Sequence, residues 1–572
     1  LSTNLNEHVA LNVKDYGAVG DGVNDDRQAI QDTIDAAAKG LGGGKVYFPE
    51  GTYLVKEIVF LRSHTHLEVH EKATILNGIN IKNHPSIVFM TGLFTDDGDQ
   101  VEWEPTEDIS YSGGTIDMNG ALNEERTKAK NLPLINSSGA FAIGNSKNVT
   151  ISNVTFKDSY QGHAIQIAGS KNVLVDNSRF LGQALPKTMK DGQIISKESI
   201  QIEPLTRKGF PYALNDNGQK SENVTIQNSY FGKSEKSGEL VTAIGTHYQT
   251  ATTENPSNIK ILNNHFDNMM YAGVRFTGFT DILIKGNRFD KKTKEESEHY
   301  RENGAALVNA YSYKNVKDIL DLNKHVTITE NVFNIADAKT KAIRVAKDSA
   351  DYLGKVTDIT VTKNIIRNNS KNPEQPNIEM LRVSDNLVVS DNIISGGKDG
   401  IVIEESAGTI TVLNNQLSNL TGNHVSLLKT DFNGTSSDTN NSVGDFNIIT
   451  ENESYKIFSQ NSGNHSDNHS DKHVEEIKPV AENKNNLANN YSVNSVDDKI
   501  EKSNHDSGNV VTGEISQKQY DVTNVSEVVK TKNNQHALPK TGLNKMVELL
   551  LTIIGICLLF GQWSLKRRYE DR

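Results

Sequence analysis

The chain has 572 residues, 35% of them hydrophobic and 6% aromatic, with a mean hydropathy of −0.52, which excludes a polytopic membrane protein. Lys and Arg number 60 against 72 Asp and Glu, and the resulting net charge of −12 is a poor electrostatic match to nucleic acid. The single cysteine, Cys557, excludes an intrachain disulfide and a cysteine zinc cage, so a secreted fold of this size must be held by packing and backbone pairing.

Residues 1–11 read as an N-terminal extension. The chain opens on Leu1 without a visible signal peptide, which suggests a processed or truncated form. Asp26–Ala38 is predicted as a helix: Asp25 and Gln28 have capping-box spacing, Ile30, Ile34 and Ala37 share one face, and Gly40 and Gly42–Gly44 stop it. Lys45–Phe48 reads as a strand, followed by a turn at Pro49-Glu50-Gly51.

From 12 to 460 a pattern recurs. Asn148 to Phe156 alternates apolar and polar residues, and the same register returns at Asn172–Phe180 and Asn223–Phe231, with later copies ending at Phe266, Phe289, Phe333, Ile366, Ile394 and Leu417. The shortest intervals are about 23 residues. A second strand follows most copies, at Ala164–Ile167, Ser199–Ile202, Gly273–Phe276, Ala342–Val345, Met380–Val383 and Gly400–Ile403. A short unit of strands without intervening helices is one coil of a parallel β-helix, and the predicted helix would close its N-terminal edge. Asn153, Asn177, Asn228, Asn264, Asn287, Asn331, Asn364, Asn392 and Asn415 form one predicted column, suited to bends and to hydrogen bonds between coils.

Residues 461–537 are polar and low in complexity and are predicted to be a disordered linker, spanning on the order of 50 Å as a coil. His465, His469 and His473 repeat every four residues there; a metal site is one reading, a solvated repeat the preferred one. At 538–572, Leu538, Pro539, Lys540, Thr541 and Gly542 precede an apolar stretch from Val547 to Trp563 and then Lys566, Arg567 and Arg568. That order resembles the sortase sorting signal of Gram-positive surface proteins. The resemblance implies cleavage after Thr541 and covalent transfer to cell-wall peptidoglycan.

Val13 to Asp26, the helix, and Gly42 to Tyr53 resemble the opening of pectate-lyase-like right-handed β-helix proteins, a group holding polysaccharide lyases, glycoside hydrolases and phage tailspikes. With the tail added, the chain resembles the plasmin- and fibronectin-binding adhesins of Gram-positive cocci. That resemblance implies a wall-anchored extracellular adhesin whose partners are host fibronectin and plasmin or plasminogen. No cofactor and no metal site is expected.

Two sets of candidate residues follow. Aligning the second strands places Gln166, Gln201, Gly245, Arg275, Val308, Arg344, Arg382 and Val402 in one outward column, with Ala168, Glu203, His247, Thr277 and Ala310 two residues further on. Glu203, His247 and Arg275 would then share a face near Tyr248 and Tyr271. As a catalytic strip, His247 or Tyr248 would move the proton and Arg275 would neutralise a uronate carboxylate in a lyase, the alternative to the adhesin. Hydrolysis needs two carboxylates, and only Glu198 and Glu203 offer themselves. For protein or glycan binding, the candidates are Arg275, Arg344 and Arg382 together with the basic insertions holding Lys187, Lys190, Arg207, Lys208, Lys291 and Lys292. Ordinary solvated faces or ion-pair ladders remain open for both sets, as does a role as a purely structural wall spacer.

Overall fold

A computed structural model describes residues 9–80, 86–94, 101–102, 105–120, 138–160, 162–184, 198–206, 217–246, 254–293, 306–312, 321–352, 354–429 and 448–450. The chain divides into two units, Leu1–Asp467 and Asn468–Arg572, and the second lies outside the described residues, as do the sorting motif and the histidine repeat. No helix among the described residues is long and apolar enough to cross a membrane.

The first unit is a right-handed parallel β-helix. Each coil contributes three strands. In one coil these are Ser146–Ser152, Thr155–Tyr160 and Ile165–Ala168, and the next begins at Lys171. Strands of the first kind stack into a 13-stranded sheet, the long sheet; the second and third kinds line two further faces. Register is strict because the side-chain period is two, so a one-residue slip would turn the whole apolar set outward. Val149 pairs with Val173, Val173 with Val224 and Val224 with Ile259, all buried.

The predicted terminal residues form an aromatic spine inside the coil. Phe156, Phe180, Phe231, Phe266, Phe289 and Phe333 pair in register, with ring centroids 4.6–5.1 Å apart and nearly parallel planes. Coil spacing thus imposes an aromatic stacking distance.

The predicted Asn column is two columns. Asn153, Asn177 and Asn228 are exposed and left-handed, with φ of 58°, 45° and 53°. Asn264, Asn287, Asn331, Asn364, Asn392 and Asn415 are buried one position further along. Each of the first five donates its backbone N–H to the side-chain oxygen of the next, at 2.8–3.1 Å. Earlier coils fill that buried position with Val154, Ser178 and Ser229, and the serine hydroxyls accept the same amide. The two positions are adjacent in sequence, which is why one pattern covered both.

The helix runs over Arg27–Ala38 and buries Ile30, Ile34 and Ala37 against the first strands. The predicted capping box does not form. Asp25 accepts from the amides of Arg27 and Lys56, while the Gln28 side chain donates to Asp32. Asp26 instead turns its carboxylate to the Val19 and Gly20 amides, tying the helix start to the preceding loop.

Candidate functional site

The third strands include Ile165–Ala168, Glu198–Glu203, Thr242–Gly245, Ala272–Phe276, Ala306–Ala310, Lys341–Ala346 and Ile378–Leu381. Their outward column is Gln166, Gln201, Gly245, Arg275, Asn309, Arg344, Glu379 and Val402. Two members of the predicted column are displaced. Val308 is buried opposite Val274, so Asn309 takes the outward place. Ile378, not Leu381, pairs with Ile343, which puts Glu379 where Arg382 was expected. Arg382 lies past the strand end in a left-handed conformation, φ 53°. The apolar alternation repeats at several offsets there, and only the backbone pairing selects one.

Arg275 is 8% exposed and reaches back two coils to Glu198, which is fully buried; Nη1 donates to Oε1 at 3.1 Å. Gly245 lies in the intervening coil, where a Cβ would run into the backbone carbonyl oxygen of Arg275, so only glycine lets the two strands pass at this spacing. The guanidinium lies over the Tyr311 ring at 4.2 Å, with Tyr271 at 5.7 Å. Burial opposes the charge, but Tyr311 and Glu198 outweigh it and hold the guanidinium pKa above its ordinary value. His163 donates from Nδ1 to the Glu198 carbonyl at 2.6 Å, which fixes its ring beside the pair. Beneath it, Gln166 donates to Gln201 at 3.1 Å and Gln201 to the buried Glu203 carboxylate.

Glu203 pairs with Ala168, one outward column away from Arg275. Arg275 already spends its charge on Glu198, so the geometry forms a buried polar brace across three coils. His247 and Tyr248 lie outside the described residues. Glu198 and Glu203 belong to one strand, and Glu198 is engaged by Arg275. Among the described residues no group of three or more His, Cys, Asp or Glu is placed to hold a metal.

The binding candidates separate as sharply. Arg344 is clamped by Asp348 at 2.5 Å and by Glu379 at 2.9 Å, and Glu379 also takes Lys341 at 2.8 Å. Despite burial, Asp348 and Glu379 raise the Arg344 pKa. Arg382 pairs with Glu405 at 2.6 Å. The expected arginine column is therefore a run of ion pairs. Lys291 is not a surface lysine: it is 4% exposed, donates to the Met269 carbonyl at 2.9 Å, and burial pushes its pKa down to about 8. Lys292 pairs with Asp267 at 3.0 Å. Lys187, Lys190, Arg207 and Lys208 lie outside the described residues. The Glu198–Arg275 brace was missed because its partners are 77 positions apart, and only the coil stacking brings them together.

Comparison with known proteins places this geometry. Residues 10–68 match the family model described as rhamnogalacturonase A/epimerase, pectate lyase-like. Over 584 aligned residues the chain is 72% identical to the plasmin and fibronectin-binding protein A of Streptococcus pneumoniae, covering 99% of this chain and 80% of that one. A solved structure of the Streptococcus pneumoniae surface protein and adhesin PfbA is 87% identical over 74% of this chain and all of its own, with a TM-score of 0.71. A crystal structure of PfbA, described as a surface adhesin of Streptococcus pneumoniae, is matched over 73% of this chain and 93% of its own at 87% identity, with a TM-score of 0.70. The chain belongs to the plasmin- and fibronectin-binding protein A family of surface adhesins, built on a pectate-lyase-like β-helix.

Proposed function

We propose that this chain is an extracellular adhesin that captures host fibronectin and plasmin or plasminogen through its β-helix body. The observation that carries the reading is the 72% identity over 99% of the chain to a relative named for those two partners. The β-helix body is the binding element in this reading. A rigid solenoid loses little conformational entropy on binding, whereas a polar, low-complexity linker must first be ordered. Among the basic candidates, Arg344, Arg382 and Lys292 already have carboxylate partners, so the insertions with Lys187, Lys190, Arg207 and Lys208 are the first patches to alter.

In this reading residues 12–460 form the binding body, 461–537 the spacer across the wall, and 538–572 the sorting signal. Sortase cleaves after Thr541 and joins the chain to peptidoglycan. Surface plasmon resonance of the chain over immobilised fibronectin and plasminogen tests the binding; saturable binding to neither partner would reject it. Mass spectrometry of muramidase-released wall fragments tests the anchor, with Thr541 as the expected terminal residue.

The lyase or hydrolase alternative rests on the pectate-lyase-like match at 10–68, which spans the N-terminal cap and its first strands. A panel of acidic and neutral host glycans, followed by absorbance of unsaturated products and by reducing ends, separates the two readings. Turnover lost in a His247→Ala variant that keeps the parent's circular dichroism spectrum would favour the enzyme; Arg275 braces the buried Glu198, so its removal would not separate chemistry from folding.

A further inference from the structure

The second strands carry an outward column of their own. The spine rings Phe180, Phe231, Phe266, Phe289 and Phe333 point inward, so the residue before each faces out. In successive coils that residue is Arg179, Tyr230, His265 and Arg288, then Val332, Ile365 and Ile393, each in register with the next. At the coil spacing these make a stripe about 29 Å long, cationic and aromatic at one end and aliphatic at the other.

The cationic end is held in place by its own contacts. The Arg179 guanidinium lies over the Tyr230 ring at 5.0 Å, and that ring meets His265 edge-on at 5.2 Å. The Tyr230 hydroxyl donates to Asp267 at 2.9 Å, and Asp267 also pairs with Lys292 at 3.0 Å. Asp290 accepts from His265 Nε2 and from Arg288 Nε, both at 2.7 Å. The carboxylates are thus committed to other cations, and Arg179 is exposed and makes no ion pair among the described residues. Arg367 lies two coils past Asp290 in the neighbouring column. It is exposed, donates to Asn334 Oδ1 at 3.4 Å, and likewise has no ion pair among the described residues. Tyrosine and arginine already fixed in this way lose little side-chain entropy when a partner lands on them.

The aliphatic end is unusual for this molecule. Ile393 is 42% exposed, with Val332 and Ile365 half-buried beside it. The other exposed large hydrophobics among the described residues, Val9, Val19, Val23 and Leu41, belong to the N-terminal cap. Three β-branched side chains stacked outward keep apolar surface in water that a covering surface would remove from it. The complement of the whole stripe carries carboxylates for the two guanidiniums without ion pairs and aliphatic groups for the other end.

We infer that this stripe is a protein-docking surface, taking a host-protein segment with carboxylates against Arg179 and Arg367 and aliphatic side chains against Val332, Ile365 and Ile393. The inference rests on the host-capture reading and gives it a surface that uses none of the basic insertions. Surface plasmon resonance of the full chain and its variants over immobilised fibronectin and plasminogen tests it. At least one partner should bind about tenfold or more weakly to Arg179→Glu, and the same partner about tenfold or more weakly to Ile393→Ser. The Arg179→Glu loss should shrink as salt rises from about 50 to about 500 mM, whereas the Ile393→Ser loss should persist, because only the first contact is screened. Both positions are exposed, so the circular dichroism spectra should match the parent's. Arg179→Gln, which removes the charge without reversing it, should weaken binding in the same direction. Lys260→Glu makes the same reversal at an exposed lysine of the long sheet and should leave binding unchanged. Parent-like affinity of either folded variant, Arg179→Glu or Ile393→Ser, for both partners would overturn the inference while leaving host capture standing, as would an equal loss in Lys260→Glu. Binding of neither partner by the parent would remove the host-capture reading and the inference with it. Self-association of the parent that is lost in Ile393→Ser, with host binding intact, would assign the face to a second copy of the chain and overturn the inference too.

Discussion

Replacing Asn331 by alanine tests how the coils are held together. The Asn331 side chain makes four hydrogen bonds. Its oxygen accepts from the backbone N–H and the side-chain amide of Asn287, both at 2.9 Å. Its amide donates to the Ile284 carbonyl at 2.9 Å and to Asn364 Oδ1 at 3.0 Å. Each such bond contributes about 1 kcal/mol net, so losing four costs about 4 kcal/mol, and more if the stranded Asn287 amide stays dry. Asn331→Ser is the internal control. At the same position in an earlier coil, Ser229 accepts the Ser178 amide at 3.1 Å and donates to the Gln227 carbonyl at 2.8 Å. Serine should therefore cost about half as much as alanine, because it keeps an acceptor for the Asn287 amide. Reversible urea unfolding of both variants, with matching refolding curves, provides the measurement. A cost under about 1 kcal/mol for alanine, or equal costs for the two, would refute the idea that the buried ladder locks neighbouring coils.

Three further outcomes follow from the same packing. Glu198→Gln leaves Arg275 buried without its carboxylate and should lower stability by about 3–5 kcal/mol, with the Glu198→Met/Arg275→Met double variant recovering much of the loss. Phe289 is stacked 4.7 Å from both Phe266 and Phe333, so Phe289→Ala should cost about 3–5 kcal/mol in urea unfolding, far more than truncation of the exposed Ile393. Lys291 has a folded pKa of about 8, below its ordinary value of 10.5. Between those values the unfolded chain binds more protons, so the stability of the parent relative to Lys291→Met should rise as pH climbs from 8 toward 10.5; a flat difference would contradict the burial argument.

The fold was legible because its dominant signals are local and repeated. An apolar alternation ending in Phe, Ile or Leu, recurring at intervals as short as about 23 residues, specifies a strand, a bend and the start of another strand, and stacking does the rest. The helix Arg27–Ala38 was equally plain from its apolar face, although its cap was misassigned because Asp25 and Asp26 compete for the same role and only the Leu54–Lys56 strand end decides between them. The outward column was harder. In Met380–Val383 the apolar residues fit two offsets, and the pairing of Ile378 with Ile343 moved a glutamate into an arginine's expected place. Polar residues carry no periodic signal of their own, so a partner such as the buried Glu198 for Arg275 appears only when coils are superposed. The lysine at 291 looked like part of a basic insertion, yet it is the last residue of the strand Arg288–Lys291 and turns into the protein beside Asp337 and Glu239.

Binding by separated parts of the chain decides where the host-protein site lies. Residues 1–460 and residues 461–537, prepared separately, would be passed over immobilised fibronectin and plasminogen by surface plasmon resonance at low and at physiological salt. Residues 1–460 should retain the affinity of the whole chain and bind more weakly as salt shortens the Debye length to about 8 Å, while 461–537 should bind neither partner. Full affinity in 461–537 with none in 1–460 would contradict it.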